Sequence, residues 1–122
     1  MIEVIKGLPP YVAAFQANDV ITGQDYDEII NPLVEKIYKE FGKINYLLVM
    51  NTSLANYTVQ AYIKDALLGF VYLTEWRKIA IVSKSDGIKK FTDIFGKLIP
   101  GETRGFMMDE LAEAKEWISK KD

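Results

Sequence analysis

The side chains whose type and spacing best suit chemistry sit together in one loop, residues 51–58, which reads Asn-Thr-Ser-Leu-Ala-Asn-Tyr-Thr. Thr52, Ser53 and Thr58 put hydroxyls beside the start of a helix, whose unpaired amides and partial positive charge suit an anion. Ser53 and Thr58 are also the candidate phosphorylation sites. The same residues have plain structural uses. Thr58 suits the N-cap of the helix, and Ser53 and Asn56 can satisfy turn amides. The carboxylates offer less: Asp19, Asp25, Asp65 and Glu102 are scattered, and Lys64 and Asp65 adjoin on a helix and so point to different sides. No Gly-rich phosphate loop, nucleophile elbow or metal-ligand spacing is present.

Composition narrows the choice further. There is no cysteine, which excludes disulfides and thiol chemistry, and no histidine, the usual proton shuttle near neutral pH. These absences predict a protein that is not an enzyme and carries no cofactor or metal; a small carboxylate-dependent enzyme using Asp65 and Glu102 is an alternative. A net charge of −2, with no basic stripe, predicts no nucleic-acid partner. The first residues carry Glu3 and run into Gly-Leu-Pro-Pro, unlike a signal peptide. The longest apolar run, 66–73, falls well short of the roughly 20 residues a spanning helix needs. A cytoplasmic location follows, with peripheral attachment to the inner face of the membrane left open.

The elements that must position these residues follow from periodicity. Residues 2–5 and 11–17 read as two strands joined by Gly7-Leu8-Pro9-Pro10, hence an antiparallel hairpin. Thr22 and Asp25 open a helix with Tyr26, Ile29, Ile30, Leu33, Val34, Ile37, Tyr38 and Phe41 on one stripe, kinked at Pro32 and closed by Gly42. Residues 46–50 and 78–83 read as buried strands. Ser85 or Asp86 caps a helix that turns Ile88, Phe91, Phe95 and Leu98 inward and ends by Pro100-Gly101. Residues 103–108 make a last strand, and Asp109 caps a terminal helix packing Leu111, Ala114, Trp117 and Ile118. The order is ββαβαβαβα: one α/β domain over residues 1–122, with a mostly parallel sheet, an antiparallel N-terminal edge hairpin and helices packed on it.

The helix after the loop is the odd one. Val59, Tyr62, Ile63, Ala66, Leu67, Phe70 and Val71 supply a core stripe, yet the opposite side still carries Ala61, Leu68, Gly69 and Tyr72. Tyr62, Leu68, Tyr72 and Trp76 therefore mark an interface with a greasy ligand, a lipid surface, a protein partner or a second copy of the chain. Arg77, Lys78, Lys84, Lys89, Lys90 and Lys97 give a modest basic footprint nearby.

Three segments, the opening MIEVIKGLPPYVAAFQA, YLTEWRKIAIVS, and the closing FGKLIPGETRGFMMDELAEAKEWI, together resemble the SpoIIAA-like family of small bacterial proteins. The resemblance implies the fold shared by anti-anti-sigma factors and the STAS domains of anion transporters. It also implies a ligand-responsive or partner-binding module, with membrane association among the proposed roles. Members of the wider fold carry a phosphorylatable serine in an Asp-Ser-Ser/Thr-Gly turn before the second long helix. The 51–58 loop has hydroxyls there but neither the acid nor the glycine, and Ile63 and Lys64 stand where relatives tend to carry Trp and Asp. The reading is a regulatory or binding module acting through residues 51–76, with a phospho-regulated anti-anti-sigma-like switch as the alternative.

Overall fold

The computed structural model describes residues 1–121, and every side chain among them except that of Phe95. β1 (Ile2–Val4) and β2 (Val12–Asn18) form the antiparallel edge hairpin, with Ile2 opposite Ala17. β3 (Ile44–Asn51), β4 (Trp76–Ser83) and β5 (Glu102–Met107) then add in parallel, each beside the last, to give the order β1-β2-β3-β4-β5. This is the ββαβαβαβα architecture expected.

A strand order that never reverses has a consequence for the helices. Crossovers between parallel strands are right-handed, so every connecting helix falls on one face of the sheet. That face carries α1 (Gly23–Asp25), a π turn at Tyr26–Ile30, α2 (Asn31–Phe41), α3 (Val59–Val71) and α4 (Asp86–Phe95). α5 (Leu111–Ile118) follows the last strand and returns under the other face. Strand alternation then builds two cores. Ala13, Phe15, Tyr46, Leu48 and Met50 pack upward on Tyr26, Ile30, Val34, Ile37, Ala61 and Leu68. Val12, Ala14, Leu47, Val49, Ala80, Val82 and Phe106 pack downward on Ala114 and Ile118.

The first long helix follows its sequence signals. Thr22 and Asp25 form a reciprocal capping box, and Gly42 closes α2 in the left-handed region at φ 75°. Pro32 acts through the turn before it: Asn31 N–H reaches back to the Tyr26 carbonyl, a π step that accommodates the missing proline amide.

Three expectations are corrected. The buried face of α3 is the opposite of the one its sequence suggests: Ala61 and Leu68 are buried, while Val59, Tyr62, Ile63, Leu67, Phe70 and Val71 are exposed, Phe70 by 75%. α1 approaches α3 so closely at Gly23 and Gln60 that small Ala61 must face it, and the Tyr26 hydroxyl draws Asp65 to the same side. On α4, Ile88 packs against the core, but Phe91 and Leu98 are exposed, Leu98 by 77%. Gly105 lets the Lys89–Asp93 side of the helix onto β5, where a Cβ would meet the Lys89 carbonyl oxygen at 2.6 Å. Buried Thr92 takes the inward place, its hydroxyl donating to the Ile88 carbonyl at 2.8 Å. The inward placement of Phe95 lies outside the described side chains. Finally, Asp109 does not cap the last helix. It lies within a 3₁₀ turn (Met108–Glu110), and Glu110 accepts the Met107 N–H at 2.8 Å.

Candidate functional site

The 51–58 loop is held by its own polar groups. Thr52 Oγ1 donates to the Asp19 carbonyl at 2.8 Å and accepts from Asn56 Nδ2 at 2.8 Å. Ser53 Oγ accepts the Ala55 N–H at 3.0 Å, and Thr58 Oγ1 caps α3 by accepting the Ala61 N–H at 3.1 Å. The backbone is pinned as well, with Ile21 N–H donating to Asn56 and Thr58 N–H to Ile21, both at 2.9 Å. Tyr62 closes over the loop, its hydroxyl donating to the Leu54 carbonyl at 2.7 Å. Every hydroxyl singled out from the sequence there is thus engaged in holding the loop's shape.

At the other end of α3 the structure gathers the remaining candidates. Leu68 and Trp76 are buried by their own chain, and half-buried Tyr72 stacks edge-on to Tyr38 and Trp76 at ring distances of 5.4 and 6.0 Å. Trp76 Nε1 donates to the Gly69 carbonyl at 3.2 Å. Leu68 and Trp76 also line a cleft of about 510 Å³ that opens between α3 and α4.

Sheet register sets the floor of that cleft. Tyr46 pairs with Ile79, and Ile79 with Thr103, so their side chains form one row on the same face. Asp65, Leu68, Gly69 and Phe70 make the α3 wall, and Phe91 and Thr92 the α4 wall. Leu73, Trp76 and Ile99 close the end. Gly69 fits this role because space beside it is open: a Cβ there would meet nothing within 4 Å.

A few polar groups interrupt this hydrocarbon. The buried Tyr26 hydroxyl donates to Asp65 Oδ1 at 2.8 Å. Asp65 keeps an exposed surface through the cleft mouth while protein atoms crowd its carboxylate. That crowding raises its pKa, and the Tyr26 hydrogen bond offsets the rise only in part. Burial, reinforced by the Asp65 charge, also pushes the Tyr46 and Tyr57 phenols up. The Tyr46 hydroxyl has no hydrogen-bond partner among the described residues, and the Tyr57 hydroxyl has only the neighbouring Tyr26 hydroxyl, already committed to Asp65, which draws the Tyr57 pKa back in part. Thr103 Oγ1, at the far end of the floor, is likewise buried and unpartnered. Unpaired buried polar groups each cost roughly 1–3 kcal/mol, so a cluster of them beside a cleft calls for an explanation.

Tyr46, Thr103 and the place of Asp65 escaped the sequence reading. A signal existed for Tyr46, a tyrosine inside a continuous apolar strand, because a buried phenol needs a partner. None existed for Thr103, whose position depends on strand register. Chemically the arrangement suits recognition: an apolar trough with one carboxylate and two idle hydroxyls.

A five-stranded sheet with an antiparallel edge, crossover helices on one face and a terminal helix on the other defines a STAS-type module. The chain belongs to the SpoIIAA-like family, whose model matches residues 12–119. Among solved structures it is similar to an uncharacterised DUF3478-family protein with a SpoIIAA-like fold from Shewanella loihica PV-4, with a TM-score of 0.71 and 20% identity over 97% of this chain and 92% of that one. At that identity the likeness shows the fold. No curated protein matches the chain.

Proposed function

We propose that this chain is a non-enzymatic binding module of the SpoIIAA-like type and that its ligand is an amphipathic small molecule held between α3 and α4. The observation that carries this reading is the cleft itself, apolar along its length yet bordered by buried hydroxyls that have no partner among the described residues. Covering a few hundred Å² of apolar surface at roughly 25 cal/mol per Å² supplies several kcal/mol before entropy is subtracted, enough for a modest affinity. Gly69→Leu tests it, since Gly69 lines the cleft and a Cβ there would meet nothing within 4 Å, so a bulky side chain can be added at the wall without a clash. Nile red should bind the wild type saturably and brighten. Gly69→Leu should abolish that signal with its melting temperature kept. Equal binding by both proteins, or none by the wild type, sinks the reading.

A second reading rests on the lips of the cleft. Phe70 on α3 and Phe91 on α4, which line the cleft, are exposed, and so are Leu67, Val71, Ile94 and Leu98 on and after the same helices. Such lips fit a lipid surface at the cleft mouth, with exposed Lys90 and Lys97 near anionic headgroups. No helix among the described residues is long and apolar enough to cross a membrane, so the attachment would be peripheral. Phe70→Glu with Leu98→Glu should release the protein from anionic vesicles in a sedimentation assay. A fall in oligomer mass instead would assign the surface to a second copy.

A further inference from the structure

We infer that Asp65 makes the cleft selective for an amphiphile whose head donates hydrogen bonds and carries no negative charge: a long-chain amine or alcohol rather than a carboxylate. The inference rests on the cleft reading above and adds the chemistry of the head.

Charge is the first ground. Among the described residues Asp65 is the one charged side chain lining the cleft, and no lysine or arginine stands there to neutralise an anion. The nearby Lys64 ammonium is paired with Asp27 at 2.9 Å. Hydrocarbon walls screen poorly, so a second carboxylate brought to Asp65 would meet repulsion that water at the cleft mouth absorbs only in part.

Hydrogen-bonding capacity is the second. Tyr26 donates to Oδ1 and is the one donor to this carboxylate among the described residues, which leaves Oδ2 able to accept. Among the described residues the Tyr46 hydroxyl has no partner, and it lies close enough to feel the Asp65 charge. An alcohol head can donate to Asp65 and accept from Tyr46, and an ammonium can donate to both. A fatty-acid carboxylate brings acceptors only, and Asp65 cannot answer them. Thr103, two strands along the same row and so roughly 10 Å away, is too distant to serve the same head.

The experiment is competition against bound Nile red at pH 7.5 with decylamine, decanol and decanoate, each below its micelle concentration. Decanol is the arbiter, because it cannot be drawn to the acidic surface by charge. On the wild type, decanol and decylamine should displace the dye at concentrations at least tenfold lower than decanoate. Asp65→Asn should bring decanol and decanoate within about threefold. Tyr26→Phe, which removes a partner of Asp65 but not its charge, should keep the wild-type order. Decanoate competing as well as decanol on the wild type overturns the inference, and so does an unchanged order in a folded Asp65→Asn protein. In those outcomes dye binding, and the cleft reading with it, survives. Absence of saturable dye binding would instead fail the cleft reading itself.

Discussion

Below the sheet, the last carbonyls of α5 meet polar side chains held up to them by the strands. Asn45 Nδ2 donates to Ile118 at 2.8 Å and Lys120 at 3.2 Å, Lys78 Nζ donates to Trp117 at 3.2 Å, and the Tyr11 hydroxyl donates to Ser119. A helix ends with carbonyls that its own turns cannot satisfy, and a cation there also suits the helix dipole. Asn45 and Lys78 are as buried as hydrophobic core residues, and each has a stated partner. Above the sheet, one residue along β3 from Asn45, Tyr46 is also buried, and its hydroxyl has none among the described residues. Neighbouring positions on one strand thus serve two ends. The satisfied face is a foundation, whereas the unsatisfied one keeps polar groups in reserve beside an open cleft.

The contrast can be broken by deleting polar groups on each side. The largest effect is expected below. Asn45→Leu keeps the branched shape but strands the Ile118 and Lys120 carbonyls and adds bulk to a fully buried site, and should cost about 3 kcal/mol in urea unfolding. Next comes the wall of the cleft. Gly105→Ala sets a Cβ 2.6 Å from the Lys89 carbonyl oxygen and forces α4 off β5, at about 2 kcal/mol. Tyr46→Phe should move stability the other way, by up to about 1 kcal/mol, because an orphaned hydroxyl is lost. The same change should weaken decanol binding about fivefold, the worth of one neutral hydrogen bond. If Tyr46→Phe proves as destabilising as Asn45→Leu, the two faces of the sheet do not differ in how their polar groups are satisfied.

How far this was legible from sequence depends on which face is considered. Strand alternation and the order of elements gave the sheet, and the α5 core followed from Leu111, Ala114, Trp117 and Ile118, all of which pack as expected. α3 was misread because it is apolar nearly all round, so periodicity gives almost no direction. Asp65 then tipped the choice, since a carboxylate is normally assigned to water. It points inward because Tyr26, 39 residues earlier, supplies a donor that only the folded chain brings near. Periodicity turns Phe91 and Leu98 inward for a related reason: nothing local shows that Gly105 draws the polar side of α4 onto β5. The loop hydroxyls are the converse case, where caps and turns are local and the structural uses of Ser53 and Thr58 were readable in advance.

The smallest expected effect contrasts two acids flanking the cleft. Asp65 on α3 has a raised pKa, with burial outweighing the Tyr26 hydrogen bond. Asp93 on α4 has a lowered one: burial pushes it up, but the Gly105 N–H at 2.7 Å and the Lys89 ammonium at 3.0 Å prevail. Raising a folded-state pKa favours the protonated form, so the Asp65 contribution is complete below the unfolded value, about 3.9, and is lost as pH rises through the folded value. Asp93 runs oppositely, present above the unfolded value and lost as pH falls through the folded one. Tyr26, Tyr46 and Tyr57, the titratable groups felt at Asp65, are held neutral across this range by burial and by the Asp65 charge. Thermal melts from pH 7 to pH 3 should therefore show the wild type gaining on Asp65→Asn as acid is added and losing its advantage over Asp93→Asn. Profiles sloping the same way in both variants would mean that the Asp65 carboxylate is solvated like any surface acid, and the reason for calling that wall of the cleft unsatisfied would go with it.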